Sequence, residues 1–292
     1  MWKRTLLIGP ACLSFYFSIG QSTSYYAVSD NQEFDKIKFT LNSTDGYCQI
    51  LPGPSTEIFN VQKQNKSNQQ PQYVERIVGR TKEINLKLAE GEQSSIGSSI
   101  SRRFFSTQQV DDFAWKVYLS NIKPLTLDLN YAVGDTYIDL SDLPIERMKM
   151  KTGSANVKVN YKYGYGNRLE MDTFLIKVDM GSFEAKNLHL CRSHNIIADV
   201  GFGSVRMDFA NASAIHTDVK ASVGAGKLEV VLPRENIPVK ISINESPLCR
   251  IKIPASFTQV SKNEFVSGPT DTGNMEYLSF NLDVAVGNII FK

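Results

Sequence analysis

Short runs in which apolar and polar residues alternate occupy most of the chain from about residue 35 onward. Such alternation over about five to eight residues predicts β-strands that turn one face to a core and the other to water. The clearest runs are residues 37–41, 84–88, 115–119, 125–129, 157–159, 239–243 and 282–286. Helical periodicity is scarce, so the pattern predicts an all-β protein.

A glycine recurs just before many of these runs. The recurring residues are Gly134, Gly153, Gly181, Gly201, Gly203, Gly224, Gly226 and Gly287. From residue 134, steps of 19, 28, 20 and 23 residues lead to glycines 153, 181, 201 and 224. A period near twenty residues predicts stacked β-coils. Each glycine is expected at a corner, because a Cβ there would obstruct the next coil about 4.8 Å away, or because the corner needs a positive φ.

The repeat therefore predicts one β-solenoid domain over residues 25–292. A sandwich or barrel is the alternative, although neither of them needs glycine at one phase of a repeat. Residues 52–72 interrupt the pattern with three prolines and a run of Gln, Asn, Lys and Ser, which predicts a polar loop excursion from the solenoid. Residues 90–101 form a second polar, Ser-rich segment, which we predict to be another loop.

The first 24 residues have the pattern of a secretory signal peptide. Lys3 and Arg4 precede an almost wholly apolar, uncharged stretch over residues 5–20, and a polar segment begins at Gln21. We predict cleavage after Gly20 or after Ser24. A retained anchor is the alternative, although the apolar run is shorter than the about 20 residues that a membrane helix needs. The mature chain is expected in the periplasm or at the cell surface, with no membrane span.

The charge balance argues against a nucleic-acid partner. Lys and Arg number 32 against 30 Asp and Glu, and the basic residues are scattered rather than clustered as nucleic-acid recognition requires. Cys48, Cys191 and Cys249 remain after removal of the predicted signal peptide. They are too few and too widely spaced for a disulfide scaffold, and the sequence leaves their pairing open.

One cluster in the sequence resembles a metal site. In a strand, His189 and Cys191 would share a face, with His194 in the next turn. No fourth zinc ligand is evident, so polar residues on the outer face of a coil are the favoured interpretation. The two Gly-x-Gly pairs lack the third glycine and the strand–helix context of a dinucleotide site, and corner glycines explain them better.

Catalysis is not favoured by the remaining groups. Three histidines without a nucleophile elbow argue against a serine or cysteine hydrolase. A row of carboxylates could serve a polysaccharide-cleaving enzyme on a β-helix, yet solvated outward residues and turn caps are the favoured interpretation. The residues of such a row would be Asp128, Asp135, Asp139 and Asp142. We predict no catalytic residues, no cofactor and no bound metal.

The tract over residues 161–166 is the strongest candidate for a contact surface. Tyr161, Tyr163 and Tyr165 alternate, so one face of a strand would show three rings. Stacked tyrosines suit contact with a glycan or a protein, and the edge of a capped core is an equal alternative.

Several stretches resemble a known group of proteins, the bacterial toast-rack and LiaF-like extracytoplasmic β-solenoids, which neighbour adhesin-like solenoid families. The stretches are residues 114–119, 124–129, 134–145, 223–233, 237–241 and 277–290. The resemblance covers most of residues 35–292, and its motifs specify coils and corners rather than a site. It implies a solenoid without catalytic apparatus. LiaF-type regulators restrain a cell-wall-stress sensor kinase and carry membrane helices where this chain has the predicted signal peptide.

The sequence and the resemblance together predict an exported, non-enzymatic protein of the bacterial cell envelope. Stacked coils make an extended, regular surface, so we expect an adhesin-like structural or interaction role toward another protein, envelope glycan or a second copy. A module that regulates a membrane stress-sensor kinase is the alternative. A carbohydrate-active enzyme is a third and less favoured possibility.

Overall fold

The chain forms two large β-sheets in this computed structural model, which describes residues 23–54, 56–63, 70–88, 114–212, 216–234, 237–268 and 277–292. The all-β prediction is confirmed. The described residues contain no α-helix, and one 3-10 helix spans Leu188–Cys191. The predicted signal peptide lies outside the described residues, except for its last two positions, Thr23 and Ser24, which belong to the first strand.

Within the described residues, the two sheets contain 23 strands. In chain order these are β1 (Thr23–Ser29), β2 (Lys36–Ser43), β3 (Tyr47–Pro52), β4 (Glu57–Lys63), β5 (Gln72–Val78), β6 (Thr81–Leu88), β7 (Ala114–Leu119), β8 (Leu125–Tyr131), β9 (Asp135–Asp139), β10 (Ile145–Thr152), β11 (Asn156–Asn160), β12 (Met171–Val178), β13 (Ser182–Lys186), β14 (Ser193–Val200), β15 (Ser204–Asp208), β16 (His216–Val223), β17 (Lys227–Val231), β18 (Val239–Glu245), β19 (Arg250–Lys252), β20 (Thr258–Ser261), β21 (Glu264–Ser267), β22 (Tyr277–Val284) and β23 (Asn288–Phe291). The first sheet has the order β1-β4-β7-β3-β9-β11-β13-β15-β17-β23-β19. The second has the order β20-β21-β18-β22-β16-β14-β12-β10-β8-β2-β6-β5.

Most strands come in pairs, each made of a second-sheet strand and the first-sheet strand that follows it along the chain. We call such a pair a level. The levels stack in the order β6–β7, β2–β3, β8–β9, β10–β11, β12–β13, β14–β15, β16–β17, β22–β23 and β18–β19. Neighbouring levels are joined by parallel pairing in both sheets, as between β10 and β12 and between β11 and β13. Each level therefore adds one strand to each sheet.

At both ends of the stack, the spatial order of the levels differs from their order along the chain. At the first end, level β6–β7 lies outside level β2–β3, although β6–β7 comes later in the sequence. At the other end, the C-terminal level β22–β23 is inserted between β16–β17 and β18–β19. The last residues of the chain therefore complete an interior level rather than an end of the stack.

The core lies between the sheets and receives every second side chain of most strands in the levels. Strand β8, for example, alternates strictly between buried and partly exposed residues. Aromatic rings bridge the two sheets within single levels, as where Phe174 of β12 meets Phe183 of β13 with 6.0 Å between ring centroids. Phe280 of β22 meets Phe291 of β23 in the same way at 5.1 Å. Burial of these side chains contributes roughly 1.5–3 kcal/mol each, so the alternation read in the sequence also provides the main stabilising term.

Antiparallel ribbons close the ends of the core. At the first end β4 and β1 extend the first sheet, β5 extends the second, and the rings of Tyr26 and Tyr73 stack at 4.4 Å between the two ribbons. The loop predicted over residues 52–72 is therefore wrong for residues 57–63, which form β4. Ile58, Phe59 and Val61 of that strand are fully buried, and this short apolar run was masked in the sequence by the prolines and polar residues around it.

Turns of three residues carry the chain from the second sheet to the first in seven levels. The third turn residue is small in all of them: Gly46, Gly134, Ala155, Gly181, Gly203, Gly226 and Gly287. Gly153, Gly201 and Gly224 instead occupy the first turn position. The predicted corner glycines therefore fall at two positions of the turn rather than at one phase. The third turn residues at 134, 155, 181, 203 and 226 are separated by 21, 26, 22 and 23 residues.

Close stacking is the physical reason for the small residues. A Cβ on Gly203 would lie 2.6 Å from Cγ1 of Val178 and still closer to the Gly181 carbonyl oxygen of the level before. A Cβ on Gly201 would lie 2.9 Å from the carbonyl oxygen of Asp179. Of the eight predicted corner glycines only Gly134 has a positive φ, at +114°. Space, more than backbone conformation, therefore selects glycine at these turns.

Candidate functional site

The four aspartates proposed as a row are dispersed and individually partnered. Asp128 lies in the second sheet, Asp135 and Asp139 lie in the first, and Asp142 lies in the turn that follows. Asp128 pairs with Lys149 at 3.1 Å, and Asp142 pairs with Arg168 at 2.8 Å. Asp135 accepts a hydrogen bond from the Asn156 side-chain amide at 2.8 Å. These carboxylates do not converge on a common site.

Asp139 departs from the predicted solvated position because it is buried. Burial alone would raise its pKa, but the backbone N–H of Ser141 donates to it at 3.0 Å and Lys162 pairs with it at 2.9 Å. The net effect holds the pKa of Asp139 below its ordinary value. Asp139 therefore ties the chain after β9 to the chain after β11.

The residues of the metal-like cluster point in different directions. Leu188–Cys191 is a 3-10 helix rather than a strand, so His189 and Cys191 do not share a strand face. Cys191 is buried and His194 is exposed. Within the described residues, no group of three or more His, Cys, Asp or Glu side chains is arranged to hold a metal ion.

Two of the cysteines are core residues. Burial raises the pKa of the Cys48 thiol to about 12, and burial does the same for Cys191. A thiol reacts as its thiolate, so neither group is suited to nucleophilic chemistry at neutral pH. In the described part of the chain, no disulfide joins these two residues or Cys249 to one another.

The tyrosine tract is divided between the core and the surface. Val157 and Val159 of β11 face the core, and the same parity carries Tyr161 inward, where its side chain is fully buried. Tyr161 therefore does not belong to a contact surface, and its assignment to one was wrong. Beyond it the chain turns at Gly164, and Tyr163 and Tyr165 are 81% and 59% exposed. They lie on a loop between levels rather than on a strand.

A second exposed group lies on the second sheet, where strands begin. His194 approaches the carboxylate of Glu170 at 3.3 Å, and the ring of His216 lies 4.4 Å from that of Tyr277. The Tyr277 hydroxyl donates to Asp218 at 3.3 Å. These groups can make polar contacts with a partner, but they do not form a pocket.

The most regular exposed feature is a line of apolar side chains along the three-residue turns. In four successive levels the middle residue of the turn is exposed, and these residues are Met180, Phe202, Ala225 and Val286. In the next level, the four-residue turn before β19 carries the exposed Leu248. We call these five residues the apolar ridge. Met180, Phe202, Leu248 and Val286 are 67%, 78%, 72% and 53% exposed.

The backbone fixes the spacing of the ridge. The N–H of Phe202 donates to the Asp179 carbonyl of the preceding level at 2.7 Å. The N–H of Val286 donates in the same way to Gly224 at 2.8 Å. Because levels stack at about 4.8 Å, five of them place the ridge side chains along about 19 Å. Sequence reasoning found the glycines of these turns but missed the residues between them, whose apolar character was the available signal.

No helix in the described residues is long and apolar enough to cross a membrane. Comparison with protein families matches residues 18–175 to the N-terminal domain of toast_rack, DUF2154. Comparison with curated proteins finds no match.

Solved structures with some similarity come from bacteria. A candidate cell adhesion protein of Clostridium sporogenes is 15% identical, with a TM-score of 0.41 over 93% of this chain and 99% of that one. A candidate adhesin of Bacteroides fragilis is 10% identical, with a TM-score of 0.38 over 93% of this chain and 97% of that one. A candidate adhesin of Parabacteroides distasonis is 15% identical, with a TM-score of 0.34 over 94% and 98% of the two chains.

Proposed function

The chain belongs to the family of the toast_rack N-terminal domain, and we propose that it is an exported, non-enzymatic binding protein built as a β-solenoid. The parallel pairing of nine levels in two sheets supports the solenoid, because each level repeats the same path. The dispersed carboxylates and the high pKa values of the Cys48 and Cys191 thiols support a role without catalysis.

The apolar ridge is the observation that carries the proposed binding role. Single exposed apolar residues are common on protein surfaces, but a contiguous line of them marks an interaction site. Met, Phe, Leu and Val side chains suit an apolar groove on a partner protein better than the polar face of a sugar. The partner is therefore a protein of the cell envelope, which receives the ridge in a complementary groove.

Crosslinking in intact cells tests this role. The tagged protein is expressed in its native host, crosslinked, purified and analysed by mass spectrometry for what accompanies it. Phe202→Asp replaces the largest ridge side chain by a charged one and is expected to remove the partner. Val260→Asp is the matched control, because Val260 is an exposed apolar residue that lies outside the ridge, on the edge strand β20. Loss of the partner in the control alone, or in neither variant, would reject the ridge as the contact.

Export is the second part of the proposal. Cleavage after Ser24 would remove two residues of β1, including Ser24, which pairs with Gln62 of β4. Cleavage after Gly20 leaves β1 whole, so Gly20 is the proposed site. The intact mass of the protein recovered from the envelope or the medium tests this. A mass that corresponds to a chain starting at Gln21 is expected, whereas an uncleaved chain in the cytoplasm would refute export.

A further inference from the structure

The four edge strands of the two sheets differ in how well they are protected against pairing with another strand. The edge strand β1 has two register irregularities against β4, and β19 has three residues and is followed within two residues by Pro254. The edge strand β20 has four residues and a register irregularity against β21. Short length, bulges and proline are the devices that keep natural edge strands from pairing.

Strand β5 has none of these devices. It spans seven residues, pairs with β6 without a register irregularity and contains no proline, and its two charged residues, Glu75 and Arg76, are ion-paired with Lys82 and Glu83 of the same molecule. Six of its seven residues are exposed, and Val74 and Val78 are 60% and 53% exposed on one face. Among the described residues, no strand pairs with its outer edge.

The hairpin geometry determines which backbone groups are available on that edge. Val78 and Thr81 close a two-residue turn between β5 and β6, and such a closing pair is hydrogen-bonded. Alternation then directs the backbone groups of Val74, Arg76 and Val78 toward β6. The N–H and C=O groups of Tyr73, Glu75 and Ile77 point outward, so three residues offer both a donor and an acceptor to another strand.

We propose that this edge pairs with the same edge of a second copy, in an antiparallel arrangement whose two-fold axis passes through Arg76. This register places Val74 opposite Val78 of the second copy, twice, in the positions where side chains of facing strands lie closest. Arg76 lies opposite Arg76 of the second copy, but each guanidinium is paired with Glu83 of its own molecule at 2.6 Å. A two-fold axis through Glu75 would instead leave Val74 facing Arg76 and Val78 facing Gln72, so that each valine would face a polar residue.

The interface joins the second sheets of two molecules into one continuous sheet. A seven-residue edge buries less area than a standard protein interface, so the dimer is expected to be weak and to depend on concentration. The two copies are related by an isologous contact that closes on itself, which limits assembly through this edge to two molecules.

Sedimentation velocity on the mature full chain, from micromolar to millimolar concentration, tests the dimer. Wild type is expected to shift from monomer to dimer, and Val74→Lys is expected to remain a monomer because it buries lysines at the contact. Val260→Lys is the matched control, since Val260 is similarly exposed on the edge strand β20. Circular dichroism verifies that both variants fold. A wild type that stays monomeric, or a dimer that Val74→Lys leaves intact, overturns the proposal.

Disulfide crosslinking tests the register. Arg76→Cys places two thiols opposite each other across the proposed axis and is expected to give a covalent dimer under mild oxidation. Glu75→Cys faces Ile77 of the second copy in that register and is expected to give none. Covalent dimer from Glu75→Cys in place of Arg76→Cys would overturn the register.

Discussion

Replacing Asn167 by leucine removes two hydrogen bonds that join the loop after β11 to strand β10 and a third within that loop. The Asn167 side chain is buried, accepts from the N–H of Ile145 at 2.8 Å and donates to the Ile145 carbonyl at 2.7 Å. It also donates to the Leu169 carbonyl at 2.8 Å. The side chain thus provides Ile145 with the backbone partners that a neighbouring strand would otherwise supply.

The expected cost follows from what is left unpaired. Leucine has the branched shape and the number of heavy atoms of asparagine and is somewhat larger, so Asn167→Leu opens no cavity. A buried N–H without an acceptor costs about 1–3 kcal/mol, and each carbonyl that loses its donor costs roughly 1 kcal/mol. We therefore expect Asn167→Leu to lower the free energy of unfolding by about 3–5 kcal/mol, a large fraction of the stability of a typical protein.

An aspartate at the same position separates the hydrogen bonds from the packing. Asn167→Asp keeps an acceptor for the Ile145 N–H but turns a carboxylate oxygen toward the carbonyls of Ile145 and Leu169. Burial and these two oxygens should raise the pKa of the introduced carboxyl above its ordinary value of about 4. Because the folded-state pKa is raised, the protonated form is favoured, and the loss of stability should shrink as the pH falls from about 8 to about 5.

Urea unfolding followed by circular dichroism measures both variants, with Asn195→Ala as the matched control. Asn195 is another asparagine near a strand start, but it makes one side-chain bond, to the Asp172 carbonyl at 3.2 Å, and that bond is exposed. Its replacement should change stability by less than about 0.5 kcal/mol. Equal losses for Asn167→Leu and Asn195→Ala, or a deficit of Asn167→Asp that grows on acidification, would refute the reasoning.

Four further results are expected. Gly203→Ala should cost about 2–4 kcal/mol because its Cβ would meet the preceding level, whereas Gly79→Ala, with φ +61° and open space, should cost about 1–2 kcal/mol in the same urea titration. The Cys48 thiol should resist alkylation at pH 8 in the native protein and react after unfolding, as peptide mass spectrometry would report. Because the pKa of Asp139 is lowered, the ionised carboxylate should contribute to the free energy of unfolding at neutral pH. That contribution should be lost as the pH falls below 3.8, the ordinary pKa of an aspartate, so Asp139→Asn should make unfolding less sensitive to acid. Deletion of residues 277–292 removes an interior level, so amide hydrogen exchange should accelerate throughout β16–β19 rather than only at the new terminus.

The sequence by itself determined the all-β class, many of the strands and the approximate spacing of the levels. Apolar and polar residues alternate with a period of two in any strand that buries one face, so β8 and β11 could be predicted from the sequence. The turn glycines could be predicted too. A Cβ in a closely stacked turn would collide with the level before it, so glycine recurs at these positions of the sequence. These are local constraints, and each is expressed within a few residues of the position that it governs.

The tertiary structure alone decided which residues meet across levels and which remain outside. The order of the levels at both ends depends on pairing between distant segments, which leaves no local pattern in the sequence. The burial of Tyr161 depended on where β11 ends. Because the strand ends at Asn160, the ring of Tyr161 still lies in the core, whereas the rings of Tyr163 and Tyr165 are exposed. The apolar ridge arises because parallel stacking in register brings Met180, Phe202 and Val286 into one line, although the residues are far apart in the chain.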